Sequence, residues 1–350
     1  MRSNAVITCP SVSYHETPGP VPRRAAGTGP VSRGVGAPGC FRGWSMRACL
    51  ALAWPVLAAA APVSPQSPGA VVILGTGTPN PDPERSGPAV AVIANGSSYL
   101  VDAGTGVVRR AAAAAARHGI PGLRSARLDI VFLTHLHSDH TVGLPDLIHT
   151  GWVDGRTGPL RVFGPPGTAR MAEHLAAAWA ADIENRTTGL QPHTPDGWRV
   201  DAVEIAGPGV VYRDSNVVVR AFAVPHDGWE VSYGYRFEVG DRVFVISGDT
   251  RSSDAVVEAC NGCTVLVHEV YDAERFLARP ADWQRYHADA HTSTAELAAL
   301  AVRARPELLL LYHQLFWGGS EEDLLRQVRE AGYSGRTVSA RDLDLFPERP

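Results

Sequence analysis

Three histidines and an aspartate fall within six positions of this chain, directly after a largely apolar run. They are His135, His137, Asp139 and His140, and the run is 128–133. A turn that passes from extended to helical geometry can direct residues two positions apart at one metal ion and the following pair at another. A polar loop whose histidines only cap a helix is the alternative, but a nonfunctional strand end seldom gathers so many ligand types. The cluster therefore predicts a catalytic metal site.

Short apolar runs separated by Gly, Asn and Pro continue from residue 70 onward, which is typical of an α/β domain. The predicted strands are 71–74, 89–93, 98–101, 128–133, 160–163, 210–211, 217–224, 233–238, 243–246, 264–268, 308–312 and 337–339. The predicted helices are 107–117, 168–181, 253–259, 293–302 and 321–331. Since no internal repeat or second linker is visible, we expect one domain over residues 70–350.

The first 61 residues differ in composition from the rest. Residues 1–45 are rich in Gly, Pro, Ser and Arg, and we expect either a disordered leader or a mis-assigned extension before a true start at Met46. Residues 46–61 are typical of a signal peptide, with Arg42 and Arg47 before an apolar stretch and small residues at 58–61. That stretch is shorter than the roughly 20 residues of a stable membrane span, so a periplasmic or secreted location is predicted. A buried or interfacial helix is the alternative.

Charge is unevenly distributed along the 350 residues. All 32 basic residues are arginine, and 36 acidic residues leave a net charge of −4. Residues 1–61 hold six arginines against Glu16 alone, so the remainder carries a net charge of −9. Binding to a phosphate backbone depends largely on basic contacts. This balance argues against nucleic acid as a partner.

The pattern His-x-His-x-Asp-His over 135–140 resembles the hallmark of the metallo-β-lactamase superfamily. Four other segments resemble further motifs of that family: Asp102-Ala103-Gly104, Val224-Pro225-His226, Ser247-Gly248-Asp249-Thr250 and Leu311-Tyr312-His313. The resemblance implies an α/β fold of the αββα type, a four-layer sandwich. Each candidate residue ends an apolar strand, which suggests ligands converging on one edge of the sheets.

The resemblance also implies a set of metal ligands. One zinc ion would be held by His135, His137 and His226, a second by Asp139, His140 and His313, with Asp249 and a shared hydroxide bridging the two. Mn²⁺ or Fe²⁺ would also suit one position. Taken singly, His226 would be an ordinary surface histidine, Asp249 a helix N-cap and His313 a satisfied strand-end histidine. The histidine cluster favours the ligand interpretation for all three.

Further motifs bear on the substrate. Gly75–Pro79, His268-Glu269 and Ala290–Thr294 resemble the ribonuclease Z-like branch, which includes zinc arylsulfatases and phosphodiesterases. Residues 76–81 with 86–89 are most similar to its secreted arylsulfatase-like members. The resemblance therefore implies a secreted hydrolase of sulfate or phosphate esters that acts on a small-molecule ester. The oligomeric state stays open, a homodimer included.

Two other functions are alternatives to this one. Ribonuclease Z proper, a tRNA 3′-processing endonuclease, holds tRNA with a long flexible arm between the third histidine and the bridging aspartate. Here His226 and Asp249 are 23 positions apart, and two predicted strands occupy that interval. A noncatalytic metal-binding protein is the other alternative, which the full ligand set disfavours. A β-lactamase is disfavoured because those enzymes generally carry Cys or Ser where Asp249 stands.

Catalytic roles follow from the paired metals, which would activate a shared water and neutralise charge on the leaving oxygen. Asp139 could accept the proton of that water. His291 resembles the branch's histidine near the leaving group and is the candidate general acid, with a helix-capping role as the alternative and His287 as a weaker competitor. His268 and Glu269 would either orient ligands or serve only the strand end.

Aromatic and sulfur side chains complete the candidates. Trp229 and Phe316-Trp317 could line an aromatic pocket, although such residues are more often core or surface. Cys260 and Cys263 are the only cysteines beyond residue 61, and in an exported protein they would form a local disulfide. Their spacing also suits redox or metal sites, but no second pair exists to complete a zinc cluster.

Overall fold

A computed structural model describes residues 69–346 of the chain. These residues belong to one compact unit. Within this range no helix combines the length and the apolar character that crossing a membrane requires. The predicted leader over 1–45 and signal peptide over 46–61 lie outside the described residues.

The described residues form two seven-stranded sheets. The first contains β1 (Ala70–Gly75), β2 (Ala89–Ala94), β3 (Ser97–Val101), β4 (Ile130–Phe132), β5 (Leu160–Gly164), β6 (Val200–Glu204) and, at its other edge, β14 (Leu345–Phe346). The second contains β7 (Gly209–Arg213), β8 (Val218–Val224), β9 (Ser232–Val239), β10 (Arg242–Ile246), β11 (Val265–Tyr271), β12 (Leu308–Leu315) and β13 (Thr337–Ser339).

Each sheet is mixed, and its parallel part determines where the site lies. The first sheet has the order β14-β1-β2-β3-β4-β5-β6, with β3 to β6 parallel. The second has the order β13-β12-β11-β10-β9-β8-β7, with β10 to β13 parallel. Parallel strands carry their C-terminal ends at one edge, where loops can gather functional side chains.

Helices join these strands. The α-helices of residues 69–346 are α1 (Val107–His118), α2 (Ser138–Thr141), α3 (Leu144–Val153), α4 (Thr168–Ala178), α5 (Ala180–Thr188), α6 (Asp254–Cys260), α7 (Ala273–Phe276), α8 (Ala281–Ala290), α9 (Thr294–Ala304) and α10 (Glu321–Glu330). Two short 3₁₀ helices, Pro121–Leu123 and Ser125–Arg127, precede β4.

Three buried apolar clusters correspond to the three interfaces of a four-layer sandwich. Side chains alternate along β1, so Val71 and Ile73 pack against the second sheet while Val72 and Leu74 pack against the helices outside the first. A third cluster joins the outer face of the second sheet to α6, α9 and α10. Burying each such side chain contributes roughly 1.5–3 kcal/mol. The predicted α/β class and αββα sandwich are confirmed.

Several elements escaped the sequence prediction. The edge strand β6 is half-exposed, so it lacks an apolar run. Helix α8 buries only His287 and Ala290, so it has no apolar stripe at helical spacing. Helices α3 and α5 were also missed, and the predicted helix 168–181 is interrupted at Trp179, between α4 and α5. These omissions matter because α8 borders the candidate site.

Candidate metal centre

The seven predicted ligands come together at the C-terminal edge of the parallel strands. The segment 134–140 follows β4, Asp249 follows β10, His226 follows β8, and His313 lies near the end of β12. Together with His291, they form overlapping groups whose ligand atoms lie within 4.8 Å of one another: His135, His137 and His226; His135, His140 and Asp249; Asp139, His140 and His313; Asp249, His291 and His313. We call the seven predicted ligands the metal centre.

One side of the metal centre consists of three imidazoles. Nδ1 of His137 lies 2.9 Å from Nε2 of His135 and 3.2 Å from Nε2 of His226. Burial lowers the pKa of all three histidines, and neighbouring imidazoles lower it further. Neutral imidazoles have the free lone pair that a metal ion requires.

The other side combines carboxylates with imidazoles. Nε2 of His313 lies 3.3 Å from Asp139 Oδ2 and 3.4 Å from Asp249 Oδ2. Nε2 of His140 lies 3.3 Å from the same oxygen of Asp249 and 3.5 Å from Asp139 Oδ2. Asp249 thus shares ligand groups with residues of both sides, as a bridging ligand would.

The donor set fits a pair of divalent cations. His140 Nε2 and Asp249 Oδ1 are buried yet have no hydrogen-bond partner within residues 69–346. Buried polar atoms normally have partners, and unpaired ones call for an explanation such as an ion. Clustered imidazole nitrogens and carboxylate oxygens are suitable ligands for transition metals. Cations between the two sides would provide the missing partners.

Outer contacts orient the ligands. Asp102 accepts hydrogen bonds from His140 Nδ1 and from the Thr134 backbone N–H, both at 2.8 Å. His226 Nδ1 donates to the Ala290 carbonyl oxygen at 2.8 Å. Each bond leaves Nε2 facing the metal centre, which is how ligating histidines are usually held. The Asp-x-Gly motif is the sequence signal for Asp102, but its contact with His140 was not predicted.

Backbone irregularities bring two ligands into position. Tyr312 pairs with Glu269 and Gln314 pairs with Val270, so His313 is an extra residue in the ladder and has a positive φ of 44°. Such a bulge re-aims a side chain. Gly248, before Asp249, has a φ of 64°, and a Cβ there would lie 2.9 Å from Thr134 Cβ. Glycine is therefore required at 248.

His291 lies beside the metal centre and contacts a buried carboxyl group. Its Nδ1 is 3.4 Å from Glu269 Oε2 and 3.9 Å from Asp249 Oδ2. Burial raises the pKa of Glu269 well above its usual value, with Asp249 adding to the effect, and burial lowers the pKa of His291 to about 4. Glu269 Oε1 accepts the backbone N–H groups of Thr292 and Thr250. His268 makes no hydrogen bond to the metal centre and contacts the backbone oxygen of Glu269.

A cavity of about 390 Å³ opens beside the metal centre. On one side it is lined by ligands and by His291, and on the other by Arg279, Trp283, Tyr286, His287 and Trp317. Of the aromatic residues predicted to line a pocket, only one lines this cavity. Trp317 lines the cavity, Phe316 packs against Arg85, and the indole nitrogen of Trp229 lies 3.0 Å from His137 Nε2. Trp283 and Tyr286 were not identified from the sequence because α8 was not, and Arg279 lies in the segment just before that helix.

The two cysteines of the described chain are joined. Cys260 ends α6, Cys263 precedes β11, and the structure links them by a disulfide over a separation of 3 residues. Both are buried among the apolar residues that attach the outer helices to the second sheet. The pair is therefore structural and does not belong to the metal centre.

Comparison with known proteins places this fold and site in a family. A family model described as a β-lactamase superfamily domain matches residues 98–314. Ribonuclease Z of Mycobacterium bovis BCG is 34% identical over 288 residues, covering 80% of this chain and 98% of the relative. Ribonuclease Z of Mycobacterium sp. KMS is 36% identical over 249 residues, covering 70% and 84%.

Solved structures agree on the fold. Human tRNase Z, short form, has a TM-score of 0.58 at 22% identity, covering 80% of this chain and 99% of that one. The metallo-β-lactamase fold protein YhfI from Bacillus subtilis has a TM-score of 0.59 at 18% identity, with 80% and 99% coverage. The chain belongs to the metallo-β-lactamase superfamily, in its ribonuclease Z-like branch. It is a metal-dependent hydrolase of ester bonds, with a dinuclear metal site.

These relatives correct three predictions. The secreted arylsulfatase-like function is wrong, because the relatives that match over nearly their whole length are named ribonuclease Z. The small-molecule ester as partner is wrong for the same reason, as is the argument against nucleic acid. The periplasmic or secreted location is wrong as well.

Each correction has a physical reason. The similarity at 76–89 covers only a few loop residues, which do not define a substrate. Net charge sums over a whole surface, whereas a bound RNA contacts only part of it. The export signal was inferred from residues 46–61, which lie outside the described part of the chain.

Proposed function

We propose that this protein is an endoribonuclease that hydrolyses a phosphodiester bond in precursor transfer RNA, with zinc in both metal positions. The observation that carries the proposal is the match to ribonuclease Z over 98% of that relative's length, combined with seven candidate ligand residues gathered at one edge of the sheets. Zinc suits the imidazole-rich donor set.

His135, His137 and His226 would hold one ion, Asp139, His140 and His313 the other, and Asp249 both. When bound, such a pair activates water for attack and neutralises charge on the phosphate. The chain prepares for this by burying His135, His137 and His226 in the neutral form, and by fixing the rings of His140 and His226 through Asp102 and the Ala290 carbonyl.

Two side chains would move protons. Asp139 lies at the border between the metal centre and the cavity and would accept a proton from the attacking water. His291 lines the same cavity and would donate a proton to the leaving oxygen, once the negative charge of a bound phosphate has raised the low pKa of its imidazole. Glu269 would act as a positioning residue, because it contacts His291 Nδ1 and also holds the backbone at Thr292.

The interval between His226 and Asp249 bears on how RNA is held. It contains β9 and β10, which pair as an antiparallel hairpin through Val239 and Arg242. A long arm is therefore not inserted there. RNA would have to be gripped by other surfaces, including those beside the cavity.

The proposal is tested by incubating zinc-loaded protein with a precursor transfer RNA. We expect one discrete cut, lost with a chelator and restored by zinc. His137→Ala should abolish cleavage and lower the bound metal, measured by elemental analysis. His174→Ala removes an exposed histidine of α4 and serves as the matched control. Protein that carries two zinc ions and leaves the precursor intact would refute the proposal.

A further inference from the structure

One wall of the cavity consists of aromatic rings that lead up to the metal centre. We call Trp283, Tyr286, His287 and Trp317 the aromatic wall. The ring of His287 stacks on Trp283 at 5.5 Å and 21°, and its centroid is 4.7 Å from that of Trp317. Tyr286 is 6.0 Å from the ring of His291. The rings thus form a continuous series from Trp283, at the rim of the cavity, to His291 beside the metal centre.

The outermost ring of the aromatic wall is unusually exposed to solvent. Trp283 is 49% exposed although it belongs to a cavity wall. An exposed large aromatic beside a functional site is typical of a binding surface, whereas a purely structural tryptophan is mostly buried.

The wall also contains polar groups that lack partners. His287 is 5% exposed, and neither of its ring nitrogens has a hydrogen-bond partner in residues 69–346. Nε of Arg279 is buried and unpaired as well, and no carboxylate of the described chain forms an ion pair with this arginine. Its guanidinium lies 5.1 Å from the Trp317 ring and 5.9 Å from the Trp283 ring. Both side chains line the cavity, and a ligand there that carries hydrogen-bonding atoms and negative charge would supply these buried atoms with partners after a small turn of the side chains.

We infer that the aromatic wall and Arg279 form a subsite for one nucleotide next to the scissile phosphate, with the base stacked on the rings and a phosphate near the guanidinium. The inference rests on the proposed ribonuclease function. A flat ring with an attached anion matches the aromatic rings and the arginine together, and its polar edges would give the unpaired His287 nitrogens partners. The volume of about 390 Å³ suits a small ligand of this size class. Stacking on aromatic side chains is a general mode of binding single-stranded RNA.

The cleavage test uses precursor RNAs with an abasic ribose at either nucleotide flanking the cut. Wild-type enzyme should cleave one of the two about ten- to hundredfold more slowly than intact RNA, which is the range expected for one lost stacked base. Trp283→Ala and Trp317→Ala should cleave intact RNA at that reduced rate and lose little more with the abasic substrate. Trp317→Phe, which keeps a ring, should recover part of the difference.

A matched control exists elsewhere on the molecule. Trp198 also has an arginine over its ring, with Arg199 at 4.7 Å, but neither residue lines the cavity. Trp198→Ala should show the full wild-type difference between intact and abasic RNA. An abasic effect that is absent in wild type, or equal in all variants, would overturn the inference while the cleavage itself upholds the proposed function.

Binding of small ligands tests the nucleotide subsite independently of RNA cleavage. Zinc-loaded wild type and Trp198→Ala should bind adenosine 5′-monophosphate at least about tenfold more tightly than ribose 5-phosphate, measured by calorimetry, and Trp283→Ala should not. Phenyl phosphate has a ring without a polar base edge and should bind more weakly than the nucleotide. Equal binding of phenyl phosphate, or no preference over ribose 5-phosphate, would overturn the inference even if no RNA were cleaved.

Discussion

The carboxylate of Asp102 accepts a hydrogen bond from Nδ1 of His140 at 2.8 Å, and both side chains are buried. Burial opposes the charged form of His140, but Asp249, Asp102 and Asp139 outweigh it and hold the pKa of His140 well above its usual value. Asp102 also accepts from the backbone and hydroxyl of Thr134. One carboxylate therefore fixes both the start of the segment 134–140 and the ring orientation of His140, a proposed ligand.

Asp102→Asn is expected to weaken binding of one metal ion about 10- to 100-fold, because an amide can direct an N–H at the ring nitrogen where a carboxylate only accepts. The residue has a φ of 61°, which asparagine tolerates, so the fold should persist. Zinc titration against a chromophoric chelator measures the affinity. Asp214→Asn, in a turn where the carboxylate accepts from Tyr99, is the control. Equal zinc affinity in both variants would contradict the role of Asp102.

His291→Ala should slow cleavage of RNA about 10²- to 10⁴-fold without loss of metal, because the leaving ribose oxygen needs a proton. The same variant should lose much less activity on bis(p-nitrophenyl) phosphate, whose leaving group departs without one. Rates on both substrates, compared with the metal content, measure the effect. Glu269→Gln should follow the same pattern more weakly. An equal loss on both substrates would show that His291 acts in some other way.

Asp342 anchors the loop that forms another border of the cavity. Its Oδ1 accepts the Thr76 backbone N–H at 2.9 Å and its Oδ2 accepts that of Ser86 at 2.8 Å. Pro79 and Asn80, between these anchors, line the cavity. Asp342→Ala should lower kcat/KM for RNA about tenfold with metal content unchanged, because a displaced loop misplaces the substrate.

The control for this loop is Asp344→Ala. Its carboxylate accepts only the nearby backbone N–H of Arg341 among the described hydrogen bonds. Steady-state kinetics of the two variants should differ, with Asp344→Ala close to wild type. Unchanged kcat/KM in Asp342→Ala would show that the loop keeps its position without this anchor.

Arg156 supports the fold rather than the reaction. It is 3% exposed, burial lowers its pKa to about 10, and its guanidinium donates to four backbone carbonyls, those of Leu128, Leu147, Ile148 and Gly197. Arg156→Met should lower the free energy of unfolding by about 3 kcal/mol, because buried carbonyls lose their donors. Urea denaturation measures this change. Arg199→Met, at an exposed arginine, should stay within about 0.5 kcal/mol of wild type, and a similar small effect at Arg156 would contradict the prediction.

Much of the fold could be predicted because local patterns specify it. The apolar run before His135 and the continuous apolar run of β1 depend only on neighbouring residues, and both correspond to buried strands. Edge strand β6 and helix α8 were missed because their burial is partial. An element that buries little has no periodic signal.

The chemical nature of the site was determined by the sequence alone: ligand-type side chains at strand ends can be read without coordinates. Only the tertiary structure decided how they meet, because the bulge that turns His313, the contact of Asp102 with His140 and the rings of α8 beside the cavity join segments far apart in the chain. Such contacts depend on how the two sheets and their loops pack. That packing is determined by residues throughout the core, so no single motif predicts it.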